Sequence, residues 1–225
     1  MIINVFKDHR FWQKLQKHTK ELVNAVKDYD FTAKGKSPWF DPKVFREYPL
    51  TTDPADGYGK SPVTHHPKFQ LLLYCANYPA IRVIDTLYKE NKDILIEDYA
   101  CGATYFAYYL SKLGFNYYSF IENFSQVRKE LFDIVTTKSD VDYTLNDLTV
   151  KPTVVNIVGY PWYEKEIPDA ELFCIYPCDN MFKTVIATLE KRGYKELCHD
   201  SDGLLYFYCK ERYLEEWQKK LSYLG

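Results

Sequence analysis

Carboxylates follow two apolar runs in the middle of the chain. Residues 94–96 are apolar and lead into Glu97 and Asp98, and a second apolar run ends at Glu122. A tight turn and a helix-like segment lie between the runs, so the order predicts strand, loop, helix, strand, with an acid at each strand end. Open parallel sheets bind ligands outside the carboxyl ends of their strands. Asp98 and Glu122 are therefore candidates for ligand binding.

The loop after the first of these strands indicates which kind of ligand fits. Dinucleotide folds need several glycines, because backbone amides must approach a pyrophosphate at the start of a helix. Here Gly102 is the only glycine between Asp98 and Thr104. The loop therefore favours a ligand that has a ribose diol and no phosphate. A carboxylate at Glu122 can accept hydrogen bonds from both ribose hydroxyls, and Asp98 can face a cationic ammonium group.

The rest of the chain supplies the elements that must position these acids. Residues 1–29 have the apolar spacing of a helix, and residues 30–67 contain six prolines, which predicts a long ordered loop over the strand ends. Two short helices are expected to begin near Pro67 and Pro79. The alternation after residue 93 predicts strands at 94–98, 117–122, 141–146, 154–158 and 172–176, helices at 104–113, 125–137 and from 179 or 180, a hairpin at 194–209 and a helix at 211–224.

Composition excludes some classes of protein and leaves others open. The net charge of −2 gives no indication of nucleic acid or an anionic membrane as partner, and no apolar window approaches a membrane span. No signal-peptide pattern opens the chain, so we expect a cytoplasmic protein with six free thiols. Cys174, Cys178, Cys198 and His199 are better explained by buried strands than by a metal site, because their spacing is not typical of one.

The pattern over about residues 93–210 resembles the class I S-adenosylmethionine-dependent methyltransferase family. The first motif of that family is an acid, any residue, then Gly-x-Gly-x-Gly. Asp98 matches the acid and Gly102 the central glycine, while Ala100 and Thr104 stand at the outer glycine positions. The resemblance implies that Glu122 binds the ribose of S-adenosylmethionine. The remaining residues that it places against the cofactor are Ala100, Cys101, Gly102, Asn123, Asp147, Leu148 and Gly159.

The resemblance also implies an architecture. It predicts an α/β fold with a Rossmann-like, mostly parallel, seven-stranded sheet in the order 3-2-1-4-5-7-6, whose last strand is antiparallel. Residues 1–92 would form a helical and Pro-rich cap segment, and residues 93–225 the methyltransferase-like domain.

Candidates for the acceptor side of the site are fewer. The fourth strand ends in Gly159-Tyr160-Pro161-Trp162, where amino-group methyltransferases of the family carry Asn, Asp or Ser before Pro-Pro and an aromatic. Tyr160 and Trp162 either stack on a planar acceptor or pack at the strand end. His65 and His66 either supply a base for O-methylation or are inert loop residues.

The sequence thus predicts a methyltransferase that acts on an unidentified acceptor, either a small molecule or a protein group. Two alternatives remain open. Loss of the outer motif glycines favours a catalytically inactive protein of the same fold, used for binding or assembly, and a nucleotide-dependent enzyme such as a dehydrogenase is the other. At the level of single residues, Asp98 and Glu122 can instead cap local amides, and Asp147 can belong to an ordinary turn.

Overall fold

The computed structural model describes residues 1–5, 8–26, 77–102, 104–122, 126–157, 167–176, 179–201 and 205–225. Its helices are α1 (His9–Val26), α2 (Tyr78–Leu87), α3 (Tyr105–Ser111), α4 (Gln126–Ser139), α5 (Asp179–Lys191) and α6 (Leu214–Leu221). Its strands are β1 (Ile2–Ile3), β2 (Leu95–Tyr99), β3 (Tyr117–Ile121), β4 (Asp142–Leu145), β5 (Val154–Ile157), β6 (Leu172–Ile175), β7 (Tyr194–Asp200) and β8 (Tyr206–Lys210).

The strands form one sheet in the order β1-β7-β8-β6-β5-β2-β3-β4. β8 runs antiparallel to β6 and β7, and the other neighbours are parallel. Read from β4 towards β7, this order confirms the predicted 3-2-1-4-5-7-6 arrangement and the antiparallel last strand. The α/β fold class is therefore correct.

Within the described ranges the sheet has eight strands, where seven were predicted. The extra strand, β1, lies within the stretch that was expected to be entirely helical, and it pairs with the outer edge of β7 through Ile2 opposite His199 and Ile3 opposite Asp200. Two residues are too few to show the alternation that marks a strand, so the sequence pattern could not separate β1 from α1.

The central strands are buried on both faces, as expected for parallel strands between layers of helices. Ile96 of β2 belongs to a large core shared with residues of α1, α2, α3, α4 and α6, whereas Tyr99 belongs to a smaller core shared with α5. Successive residues of a strand point to opposite faces, which assigns the two cores to the two sides of the sheet. Both acids at the end of β2 are consequently enclosed, one on each face.

The helical segments before the sheet pack into the same core. Trp12 of α1 is fully buried, and its indole Nε1 donates a hydrogen bond to the Val5 carbonyl at 2.8 Å. Arg82 of α2 forms a salt bridge with Asp8 at 2.6 Å and its guanidinium lies over the Phe11 ring. A division of the chain at residue 92 stays a prediction.

Other expectations have mixed outcomes. The left-handed residue that ends α5 is Gly193, with φ of 84°, as predicted for a helix C-terminus. The closing segment 211–224 is not one helix, because 3₁₀ turns at Glu211–Tyr213 and Ser222–Leu224 flank α6.

The Pro-rich loop at 30–67 and the helix near Pro67 lie outside the described residues. None of the helices that the structure describes is long and apolar enough to cross a membrane.

Candidate functional site

The loop after β2 adopts a backbone conformation that usually requires glycine. Ala100, Gly102 and Thr104 have φ angles of 57°, 55° and 55°. These are the three positions that correspond to the glycines of the methyltransferase motif. An L-residue pays about 1–2 kcal/mol in this left-handed region, and a β-branched residue such as Thr104 is a genuine outlier there. The loop therefore keeps the glycine-type backbone although two of its three glycines are absent.

The buried hydroxyl of Thr104 adds to this cost. Thr104 precedes α3 at the N-cap position, yet its side chain makes no capping hydrogen bond, and its Oγ1 has no hydrogen-bond partner among the described residues. A threonine at this position normally satisfies a free backbone amide. Strain of this kind persists when the surrounding structure fixes the loop, and it concentrates at functional sites.

Glu122 joins this loop to the end of β3. Its Oε2 accepts a hydrogen bond from the backbone N–H of Gly102 at 2.9 Å, and its own backbone N–H donates to Asn146 Oδ1 at 3.0 Å. The backbone N–H of Ala100 donates to the Ile121 carbonyl at 2.8 Å, which fixes the same junction from the other side. The structure thus brings together Asp98, the loop and Glu122 at the carboxyl ends of β2 and β3.

Asp98 lies at the end of a chain of side-chain amides. Asn156 Nδ2 donates to Asp98 Oδ1 at 2.7 Å, and Asn77 Nδ2 donates to Asn156 Oδ1 at 2.8 Å. All three side chains are buried, with Asp98 only 1% exposed. Among the described residues, Asp98 takes part in no salt bridge.

Neither asparagine was singled out from the sequence. Asn156 stands opposite Asp98 on β5 and is flanked by Val155 and Ile157, which are buried. An amide in the middle of a buried strand needs hydrogen-bond partners, and that requirement was the available signal. Asn77 gave no such signal, because it stands next to no recognised motif.

The surroundings of Asp98 oppose its ionisation only in part. The pKa of the carboxyl is raised to about 7: burial is the largest cause, the charge of Glu122 acts in the same direction, and the hydrogen bond from Asn156 acts in the lowering direction. Close to neutral pH the carboxyl is therefore balanced between its two forms. A cation placed beside it would favour the ionised form.

Glu97 occupies the opposite face of the sheet. It is buried next to Ser119, its register partner on β3, and burial raises the pKa of its carboxyl to about 7. Its Oε2 has no hydrogen-bond partner in the part of the chain that the structure describes. Because adjacent strand residues point to opposite faces, Glu97 does not contribute to the Asp98 side of the sheet.

Asp147 lies after β4 but caps its own turn. Its Oδ1 accepts hydrogen bonds from the backbone N–H of Thr149 at 2.9 Å and from Thr149 Oγ1 at 2.6 Å, and these bonds lower the pKa of the carboxyl. Leu148 beside it is 45% exposed. This geometry agrees with the ordinary-turn alternative, and contact with a cofactor stays a prediction for both residues.

Several other candidates cannot be placed. Asn123, Gly159, Tyr160, Trp162, His65 and His66 lie outside the described residues. Cys101, which was expected near the cofactor, lies in the loop with intermediate exposure. Among the described residues, no group of three or more His, Cys, Asp or Glu could hold a metal ion.

Comparison with known proteins gives structural likeness only. No protein-family profile matches the sequence, and no curated protein matches it either. A precorrin-6y C5,15-methyltransferase from Geobacter metallireducens is 17% identical with a TM-score of 0.42, over 57% of this chain and 88% of the other. A TehB-like SAM-dependent methyltransferase from Corynebacterium glutamicum is 13% identical with a TM-score of 0.41, over 61% and 98%. A candidate RNA methyltransferase from Pyrococcus horikoshii is 10% identical with a TM-score of 0.46, over 85% and 98%.

The likeness is one of fold. All three structures are less than one-fifth identical to this chain, and their TM-scores are below 0.5.

Proposed function

We propose that this protein binds S-adenosylmethionine at the carboxyl ends of β2 and β3 and transfers its methyl group to an acceptor, either a small molecule or a protein group. The observation that carries the proposal is the pair of buried carboxylates, Asp98 and Glu122, on either side of a loop with three left-handed residues. A buried acid pair of this kind favours a ligand with positive charge and hydroxyl donors.

The donors and acceptors of the site fit this cofactor. A carboxylate has two oxygens with about four acceptor positions. Glu122 therefore has the chemistry to accept hydrogen bonds from a ribose diol. Asp98 has the charge to bind an ammonium group.

The same features speak against a dinucleotide. The amide of Gly102 is directed at Glu122, so it is already engaged where a phosphate would need it. Two carboxylates at the strand ends would also repel a pyrophosphate. These points favour the methyltransferase hypothesis over the nucleotide-dependent alternative.

Methyl transfer depends more on the positioning of donor and acceptor than on acid–base groups. When bound, the cofactor supplies a methyl group on a positively charged sulfur that is already activated for transfer. The residues of this chain would hold the cofactor in place: Asp98 would bind its cationic end, and Glu122 would hold its ribose. Holding reactants in line and excluding water is a sufficient source of rate enhancement for this reaction.

Calorimetry of the purified protein with S-adenosylmethionine, S-adenosylhomocysteine and NAD tests the binding. We expect saturable binding of the first two and none of NAD. Absence of both heat and thermal shift with the two sulfur ligands would overturn the proposal. Tight NAD binding would favour the nucleotide-dependent alternative.

Activity needs a second measurement, because binding alone also fits the inactive alternative. Methyl-tritiated S-adenosylmethionine can be incubated with the protein and pools of small molecules or proteins from a cell extract. Transfer of label that disappears in a Glu122→Ala variant supports an enzyme. Cofactor binding without transfer to any pool supports the binding protein.

A further inference from the structure

Asn77 occupies a position where its side chain would ordinarily cap a helix. It stands immediately before α2, has a left-handed backbone with φ of 56°, and makes no side-chain capping bond. Its amide instead donates to Asn156, a residue 79 positions later in the chain. Asn77 is only 5% exposed, so the contact is a buried one between α2 and the sheet.

The two hydrogen bonds that link Asn77, Asn156 and Asp98 run in the same direction. The oxygen of Asn156 accepts from Asn77, so its nitrogen faces Asp98 and donates to it. A flip of the Asn156 amide would place two NH₂ groups against each other at Asn77 and an oxygen against the carboxylate. Asn156 is fully buried, so water could not repair those contacts. Asn77 therefore keeps a donor, and not an acceptor, directed at Asp98.

We propose that Asn156 and Asn77 are positioning residues that favour the ionised form of the Asp98 carboxyl and orient it as an acceptor for the cationic end of the ligand. The identity of that ligand rests on the proposed function. The effect on Asp98 itself does not, because it is a property of the protein without ligand.

The groups around Asp98 determine how its pKa would change when Asn156 is replaced. Glu122 is the neighbouring acid, and Tyr118 of β3 and Cys174 of β6 also sense the charge on Asp98. Burial raises the pKa of both the phenol and the thiol well above their ordinary values, so both stay neutral near pH 7. Removing the donor of Asn156 removes the contribution that lowers the pKa of Asp98. The carboxyl would then be protonated at higher pH than in the wild type.

The titration of Asp98 can be followed directly by NMR of protein labelled with ¹³Cγ-aspartate, with the signal assigned from an Asp98→Asn variant. We expect Asn156→Leu to move the midpoint upward by about one pH unit, the effect of a lost charge-assisted hydrogen bond. Asn77→Gly, which tolerates the left-handed backbone, should give a smaller shift in the same direction. Ser119→Ala, a buried strand substitution on the opposite face, should leave the midpoint unchanged.

Ligand binding gives the functional readout. Affinity for S-adenosylmethionine should fall as the pH drops through the midpoint of Asp98. At pH 7 Asn156→Leu should bind roughly fivefold more weakly, because the ionised fraction of Asp98 falls by that factor, and at pH 9 the affinity should return towards the wild-type value. A purely structural role would weaken binding equally at every pH.

The outcomes separate the two proposals. If the wild type binds neither sulfur ligand, the proposed function is wrong, and the NMR midpoints still decide the roles of the asparagines. If the wild type binds but folded Asn156→Leu and Asn77→Gly both keep its Asp98 midpoint, the positioning inference is overturned and the proposed function stands. Asn77→Gly keeps the test valid if Asn156→Leu does not fold.

Discussion

Gly102 donates its backbone N–H to the Glu122 carboxylate at 2.9 Å, so the loop after β2 and the end of β3 form one unit. The only glycine of the loop is thus the residue that contacts the acid of the next strand. Glu122 also receives support on its other side from Asn146, which accepts from its backbone N–H. A residue whose backbone and carboxylate are each bonded to a neighbouring element is oriented before any ligand arrives, which reduces the entropy that binding must overcome.

Replacement of Glu122 by alanine should weaken cofactor binding. Hydrogen bonds to a charged group are worth roughly 1–3 kcal/mol, so the affinity for S-adenosylhomocysteine in calorimetry should fall by that amount. Glu122→Gln should lose less, because an amide oxygen still accepts. Asp142→Ala, an exposed acid at the opposite end of β4, serves as the matched control and should leave the affinity unchanged. Wild-type affinity in a folded Glu122→Ala protein would remove Glu122 from the site.

Restoring glycine to the loop should stabilise the protein. Thr104→Gly removes a β-branched residue from the left-handed region together with a buried hydroxyl that has no partner among the described residues. These gains exceed the lost methyl burial and the extra chain entropy, and we expect about 1 kcal/mol more stability in urea unfolding. Ala100→Gly should act in the same direction.

A matched control uses the same substitution in a helix. Ala107 lies in α3 and is fully buried, so Ala107→Gly has no left-handed strain to relieve. It should destabilise the protein by about 1 kcal/mol or more. If Ala100→Gly and Ala107→Gly lower stability equally, the left-handed backbone at Ala100 carries no strain.

The sequence could predict the part of the site that follows chain order. Asp98 and Glu122 end consecutive strands, and consecutive parallel strands place their carboxyl ends at one edge of the sheet, so their proximity follows from local pattern alone. Asn77 and Asn156 could not be found in this way. Their contact depends on β5 lying beside β2 and on α2 reaching the same point, which are facts of tertiary packing.

The loop shows a second limit of sequence reasoning. The absence of glycine at positions 100 and 104 could not show which backbone conformation the loop adopts. The φ angle is positive at both, and the hydrogen bond from Ala100 N–H to the Ile121 carbonyl helps to hold it there. The residue type determines the energetic cost of a backbone conformation. Contacts with neighbouring elements determine whether the chain adopts it.

The salt bridge between Arg82 and Asp8 should couple the N-terminal segment to the rest of the fold. Arg82 is buried and also contacts Asp85, Thr86 and the ring of Phe11. Arg82→Met should lower the free energy of unfolding by about 2–4 kcal/mol, since it removes the cation from Asp8 and leaves Asp85 with Lys92 alone. Asp8→Asn, at the more exposed end of the pair, should cost less.

Urea unfolding of the wild type also tests whether the chain behaves as one cooperative unit. If residues before 92 and after 92 unfold together, fluorescence and circular dichroism should report one coincident transition in urea. Two separate transitions would support an independent N-terminal unit. A wild-type midpoint for Arg82→Met would contradict a role for this cluster in stability.

Glu97 should make the protein less stable as the pH rises. Burial raises the pKa of its carboxyl to about 7, above its ordinary value of 4.5. Between those two values the unfolded chain loses its proton while the folded protein keeps it. The stability contributed by the neutral carboxyl is therefore complete below about pH 4 and is lost progressively as the pH rises to about 7.

Glu97→Gln removes this titration while keeping the shape of the side chain. The variant should be about 1–3 kcal/mol more stable than the wild type in urea unfolding at pH 8, and the gain should shrink towards pH 4.5. Asp147→Asn should behave in the opposite sense, because hydrogen bonds from Thr149 lower the pKa of that exposed carboxyl. Its destabilising effect should be present at neutral pH and disappear in acid. An equal gain for Glu97→Gln at pH 4.5 and pH 8 would show that the buried carboxyl is not the titrating group.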